Sequence, residues 1–131
     1  MARKASTFLM FEGAAEEALH LYTSIFENSS IVRLERYGAD EDGTEDSVKQ
    51  AELDLSGHSL LFFDSYMKHE FTFTPSVSIF VRCESEAELD SAFTQLSESG
   101  EVLMPLAHYE FGKKFGWTND RFGVSWQLSL D

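Results

Sequence analysis

The chain contains one cysteine, Cys83, so no internal disulfide can form and a reduced, cytoplasmic setting is expected. Basic residues are also scarce, 10 against 23 acidic ones, for a formal net charge of −13 with His neutral. A field of that sign repels nucleic acid and anionic lipid, which sets aside a DNA, RNA or membrane-surface role. It attracts a cationic small ligand, although a negative surface serves solubility in any case. No apolar run is long enough to span a bilayer. The N-terminus, Met1-Ala2-Arg3-Lys4, carries positive charge with no apolar run of the needed length behind it, so a signal peptide is not expected.

Apolar material is plentiful. Hydrophobic residues make up 43% of 131 residues and aromatic ones 14%, with 12 Phe, enough for the core of a single domain. Thr7 to Phe11 reads as a short strand. Ala15, Ala18, Leu19, Tyr22, Ile25 and Phe26 then recur at the spacing of one helix face, with Glu16 and Glu17 in the first turn, where negative charge suits the helix dipole. Asn28-Ser29-Ser30 is expected to end that helix, and Ile31 to Tyr37 alternates as a strand. A charged turn, Gly38 to Asp46, leads to Val48–Leu55 and His58–Asp64, two strands joined at Ser56-Gly57. Met67 to Thr74 reads as a link.

The second half repeats the order. Val77 to Cys83 is a strand, and Ser85-Glu86-Ala87-Glu88 has the form of a capping box. Leu89, Ala92, Phe93 and Leu96 continue at helical spacing, and Gly100 is expected to cap the helix end. Glu101–Phe111, Phe115–Thr118 and Val124–Leu130 read as three strands, the last two joined by a turn at Asn119–Gly123. Two strand–helix–three-strand modules, about residues 6–66 and 75–131, are thus expected within one α+β domain. A shift of 71 places Phe8 on Ile79, Tyr22 on Phe93, Ile25 on Leu96 and Ile31 on Val102.

Three stretches carry a family resemblance. They are Phe8-Leu9-Met10-Phe11-Glu12-Gly13 with Glu16-Glu17-Ala18 and Tyr22, then Val102-Leu103-Met104-Pro105-Leu106, and most specifically Phe115-Gly116-Trp117 with Asp120-Arg121-Phe122-Gly123-Val124-Ser125-Trp126-Gln127-Leu128. On these the chain resembles the PhnB-like branch of the vicinal-oxygen-chelate superfamily, which includes glyoxalase I, extradiol dioxygenases and bleomycin-resistance proteins. A demethylubiquinone methyltransferase label often accompanies that branch. The resemblance implies two βαβββ modules whose curved, mixed sheets form a cavity with helices outside, and a homodimer. It implies little about reaction, since the superfamily runs many chemistries on one scaffold.

Strand alternation then yields an expected cavity lining. If Phe8 and Met10 meet the helix, Thr7, Leu9 and Phe11 face inward, with Leu61 and Phe63 beside them. The second module contributes Ser78, Phe80 and Arg82, then Ser125 and Gln127, and His108 is a further lining candidate. The resemblance implies metal ligands at Thr7, Leu61, Ser78 and Gln127. Of these only Gln127 could bind a divalent ion, and weakly, so no catalytic metal and no cofactor are expected. No two of His20, His58, His69 and His108 share a metal-binding spacing. Cys83 reads as a buried, inert thiol. A methyltransferase cofactor site is not expected, because the first strand-to-helix turn, Glu12-Gly13-Ala14, has one glycine. The leading expectation is a protein that binds a small apolar or aromatic molecule. The alternatives are a lyase, isomerase or dioxygenase-type enzyme, with His108, Glu110 and Asp64 as acid–base candidates, and a dimeric scaffold without a ligand.

Overall fold

The computed structural model describes residues 2–110 and 114–131. The chain divides into two compact units between His69 and Glu70, inside the segment read as a link. No helix among the described residues is long and apolar enough to cross a membrane.

The first module comprises β1 (Thr7–Phe11), α1 (Ala15–Ile25), β2 (Ser29–Arg36), β3 (Val48–Leu55) and β4 (His58–Asp64). Its sheet runs in the order β1-β4-β3-β2, with β1 parallel to β4 and the other pairs antiparallel. The β3–β4 hairpin turns at Ser56 (φ 50°) and Gly57 (φ 91°), the two left-handed residues that a tight primed turn requires. Ala15, Ala18, Leu19 and Tyr22 form the buried stripe by which α1 packs on the sheet. Ala14 offers no side chain to cap α1. Asp64, at the end of β4, takes that place. Its Oδ1 accepts from the Gly13 N–H (2.8 Å) and the Ala15 N–H (3.0 Å), and its Oδ2 accepts from the Val48 N–H at 2.9 Å. One buried carboxylate therefore ties the helix start and the start of β3 to the end of β4.

The second module repeats the plan with β5 (Ser78–Arg82), α2 (Glu86–Ser97), β6 (Glu101–Ala107), β7 (Lys114–Asn119) and β8 (Ser125–Leu130), in sheet order β5-β8-β7-β6 with β5 parallel to β8. Ser85 caps α2 by accepting from the Glu88 N–H (3.1 Å), and the Glu88 carboxylate accepts from the Glu84 N–H (2.7 Å). Asp120, in the β7–β8 turn, is a second buried carboxylate that binds backbone donors. Its Oδ1 accepts from the Phe122 and Val124 N–H groups, and its Oδ2 from the Trp126 indole N–H at 2.9 Å. Both outer hairpin pairs, β2/β3 and β6/β7, contain register shifts. Such bulges bend and twist a sheet, which suits the curved sheets of this α+β fold.

Several boundaries differ from expectation. Helix α1 ends at Ile25, and Ser29 and Ser30 already belong to β2. Tyr37 leaves β2 and is buried, with the ring so close to Gly43 that a Cβ there would lie 2.4 Å from it. Gly100 is not the left-handed residue after α2; Ser99 is, at φ 59°. Gly100 is needed for space, since a Cβ would stand 2.1 Å from the Asn119 carbonyl oxygen. Strand β6 ends at Ala107, and the expected extension to Phe111 runs past the described residues. The 71-residue shift matches Tyr22 with Phe93, both buried, but sets the buried Leu9 on the exposed Phe80. The first strands therefore align with an even offset, while the helices accept an odd one.

Asp64→Ala leaves three backbone donors without their acceptor, two of those bonds being buried. We expect a loss of about 3 kcal/mol, at roughly 1 kcal/mol or more per orphaned donor, and about half that for Asp64→Asn. Urea denaturation followed by circular dichroism checks this; an unchanged midpoint for Asp64→Ala would show the staple to be dispensable.

Candidate functional site

Each sheet has a helix face and an open face. In the first module, Phe11 stacks on Phe62 (centroids 5.8 Å apart), and Phe62 meets Tyr22 of α1 at 5.9 Å. Leu9 pairs with Phe62 across the parallel register and is 5% exposed; Phe11 is 4% exposed. Leu9 and Phe11 therefore belong to the helix-side core, and Thr7 shares their side, with its Oγ1 2.9 Å from His58 Nε2. This reverses the expected orientation of β1. Every residue from Phe8 to Phe11 is apolar, so alternation alone carries no sign of which side is inside. The open face instead carries Phe8 and Met10, in register with Leu61 and Phe63. Phe8 is 59% exposed, and its ring lies 5.9 Å from that of Phe63. Leu61 and Phe63, expected to line a cavity, lie on this face.

A polar group adjoins this patch. Glu52 of β3 is buried; it accepts from the Ser59 hydroxyl at 2.7 Å and pairs with Lys4. The Ser6 hydroxyl donates to Ser59 Oγ at 2.8 Å. Lys4 first, and then the Ser59 hydroxyl, hold the Glu52 carboxyl below the usual carboxylate range. Its alternation with Ala51 and Leu53 hid this residue from sequence reading, because a Glu in a strand ordinarily reads as solvent-facing.

In the second module the β5 and β8 residues expected to line the cavity lie on one face of the sheet. Ser78, Phe80 and Arg82 of β5 share the open face with Ser125, Gln127 and Ser129 of β8. Gln127 Nε2 donates to Ser78 Oγ at 2.6 Å, and the Trp117 indole N–H donates to Ser125 Oγ at 2.8 Å. Phe80 is 48% exposed and stacks on Phe115 at 6.4 Å. The Arg82 guanidinium lies 5.4 Å from the Phe80 centroid and 3.6 Å from Asp131. Phe115 and Trp117, in the family-like C-terminal stretch, lie on this face as well. Their period-2 spacing was the available signal. The opposite face of β7 is fixed by Gly116, where a Cβ would strike the Phe93 ring of α2 at 2.4 Å.

The remaining candidates do not assemble. His108 and Glu110 are exposed beyond the end of β6. Asp64 is committed to three backbone donors, which leaves it no role as a base. His20 sits beside Glu16 at 3.3 Å on the surface, and His69 contacts Ser65 at 3.0 Å. Cys83 is buried, and burial first, then Glu88, pushes its thiol up to about 12.

The donors do not suit a divalent metal. Among the described residues no three His, Cys, Asp or Glu side chains come together. At the four positions the fold would use, Thr7 points to the helix side, Leu61 has no donor atom, and Ser78 and Gln127 bond to each other. Nor do the helix starts suit a nucleotide-type cofactor. The N–H groups of Gly13 and Ala15 already bind Asp64, and those of Glu84 and Glu88 serve the α2 capping box.

Comparison with known proteins agrees with this architecture. A family profile described as 3-demethylubiquinone-9 3-methyltransferase matches residues 3–129. No match to a curated protein is found. Among solved structures, a PhnB protein from Bacillus cereus with the same methyltransferase description is 51% identical, covers 98% of this chain and 100% of its own, and superposes with a TM-score of 0.94. A Pseudomonas aeruginosa protein is 25% identical over 99% of this chain and 98% of its own, with a TM-score of 0.86. The fosfomycin resistance protein FosX of Listeria monocytogenes shares the fold at 13% identity, covering 100% of this chain and 94% of its own, with a TM-score of 0.65.

The thiol gives a direct check on the second module's packing. With its pKa near 12, only about one Cys83 in ten thousand is thiolate at pH 8, and thiolate is the reacting form. Ellman's reagent is expected to leave the native protein unmodified for hours and to react fully in denaturant. Rapid native labelling would show that Cys83 is open to solvent.

Proposed function

The chain belongs to the family described as 3-demethylubiquinone-9 3-methyltransferase, the PhnB-like branch of the vicinal-oxygen-chelate superfamily, and from that premise we propose that it is a cytoplasmic small-molecule-binding protein whose ligand rests on an open sheet face. One observation carries the reading. On the open face of the second module an exposed aromatic, Phe80, flanks a partly exposed hydrogen-bonded pair, Ser78 and Gln127. Ligand sites are mostly apolar with a few placed polar groups, which is the composition found here. The first module adds Phe8, Met10, Leu61 and Phe63 on its own open face. The ligand class is apolar or aromatic, and the net charge of −13 favours neutral or cationic molecules over anions.

Neither the methyl transfer in the family's description nor the metal-assisted chemistry that the superfamily resemblance raises is supported by the residues. Methyl transfer needs a methyl donor, and the helix starts that could hold a nucleotide-type one are occupied by the protein's own carboxylates and hydroxyl. Metal-assisted chemistry needs several anionic or imidazole donors, and the fold's positions supply a hydroxyl pair and an amide. A binding role, for sequestration or resistance, asks for neither. The same reading takes the protein as a homodimer. Within their own sheets β2 and β6 are edges, and Ile31, Val32 and Val102 on them are exposed, which a second copy would cover.

A thermal-shift screen of aromatic metabolites and antibiotics tests the proposal. We expect at least one hit whose affinity falls about tenfold in Phe80→Ala, the loss of roughly 1.4 kcal/mol of apolar contact. Near one equivalent of bound metal per purified chain, removed by EDTA together with an activity, would overturn it. For the assembly, light scattering at tens of micromolar is expected to give twice the chain mass; the monomer mass would refute the dimer.

A further inference from the structure

Resting on that binding reading, we propose that the open face of the first module is a recognition site for a cationic amine. The Glu52 carboxylate takes the ligand's ammonium group, and Lys4 occupies that place when no ligand is there. Glu52 stands in one cross-strand row with Leu61 and Phe8, from β3 through β4 to β1. It is 7% exposed, so the sheet holds a charge that needs a partner. Its Oε2 accepts from the Ser59 hydroxyl and from Lys4, and its Oε1 has no partner among the described residues. The Lys4 side chain is 59% exposed against 9% for that of Glu52, and it belongs to the segment before β1. The carboxylate is thus fixed in the sheet, while its cation reaches it from the solvent side and can be exchanged.

The neighbouring hydroxyls settle what the site asks for. An ionised carboxylate cannot donate, so the Ser59 proton points to Glu52 and the Ser6 proton to Ser59. Both hydroxyl protons are used, and Ser6 Oγ has only lone pairs to offer. The two oxygens of a carboxylate are equivalent, so the count is the same whichever way the group is turned. Glu52 Oε1 and Ser6 Oγ both call for a donor, which an ammonium supplies and a carboxylate does not. Exchanging one ammonium for another keeps the buried charge paired. Once Lys4 has left, the same face carries Arg33 against Glu35, Glu52 and Asp54, a negative balance among the described residues of these strands. The ligand's body has a platform beside it. Phe8 is 59% exposed, and its ring lies 5.9 Å from that of Phe63. Two strand spacings, about 10 Å of backbone, separate Phe8 from Glu52 with Leu61 between them, a span that the side chains and a short arylalkylamine cover. The face of an aromatic ring itself favours a nearby cation.

Three fragments that differ only in their polar end test this: phenethylamine, phenethyl alcohol and hydrocinnamate, titrated into the isotope-labelled full chain and followed by NMR. Protonated phenethylamine is expected to bind about tenfold tighter than the other two, the worth of a charge-assisted hydrogen bond, and to shift signals of Phe8, Glu52 and Leu61. Glu52→Gln keeps an acceptor for Ser59 and should abolish that preference. Lys4→Ala removes the competing cation. It should tighten phenethylamine about threefold and leave phenethyl alcohol unchanged, since less of the site is then occupied by the protein's own ammonium. The cation assignment falls if phenethyl alcohol or hydrocinnamate matches phenethylamine on the wild-type protein, a comparison that needs no variant to fold. It falls equally if Glu52→Gln retains the preference or Lys4→Ala fails to tighten the amine. In each of those cases the binding reading stands as long as one fragment shifts residues of an open face. If none of the three shifts a residue of either open face, the binding reading falls with it.

Discussion

Each module is closed by its first strand lying parallel beside its last, β1 on β4 and β5 on β8. A parallel pair needs a crossover, and the connection here begins with a helix. The helix covers one face of its four-stranded sheet, and the other face is left without a layer of its own. The same pairing fixes which side chains stand together there: Phe8 with Leu61 and Met10 with Phe63 in one sheet, Ser78 with Ser125 and Phe80 with Gln127 in the other. The helix-side core and the open face are therefore two consequences of one register. A slip by one residue would exchange them.

Two buried aspartates hold that arrangement. Asp64 joins the end of β4 to the start of α1 and of β3, and Asp120 fastens the β7–β8 turn to the Trp126 indole. The most family-specific part of the sequence is thereby explained as scaffold. Gly116 makes room for Phe93, Asp120 orders the turn, and Gly123 supplies a left-handed residue at φ 93°. Ser125, buried, and Gln127, partly exposed, lie between these fixed points on the sheet face away from α2. A frame of this kind lets the open-face residues vary while the fold is kept, which accords with one scaffold serving many chemistries.

Several charged residues pair beside the helices. Arg36 pairs with Glu16 on the outer surface of the first module, and Lys114 binds Asp90 and Glu86 beside α2. The Asp90 and Glu86 carboxylates raise the Lys114 pKa and so keep it charged. Such pairs on the surface add little stability and fall further with salt. On the second module's open face the hydrogen-bonding groups include hydroxyls, an amide and the Trp117 indole N–H. Arg82, its one cation among the described residues, has Asp131 nearby.

The sequence alone determined the element order, the strand limits Thr7–Phe11, Val48–Leu55 and His58–Asp64, the α2 capping box and the family. These are local matters: turn residues, caps and periodicity are read within a few residues of each other. The second module's open face was legible for the same reason, since Ser78, Ser125 and Gln127 alternate with Ile79, Trp126 and Leu128, and the polar side of such a strand is plain. The first module's was not. In Phe8-Leu9-Met10-Phe11 both sides are apolar, and Leu9 and Phe11 go inside because Tyr22 and Phe62 are there to receive them. Asp64 gave no sign of its role, because its partners, Gly13, Ala15 and Val48, are distant in the chain. Only tertiary structure could decide these points, since each depends on which distant residues the parallel pairing of β1 with β4 brings together.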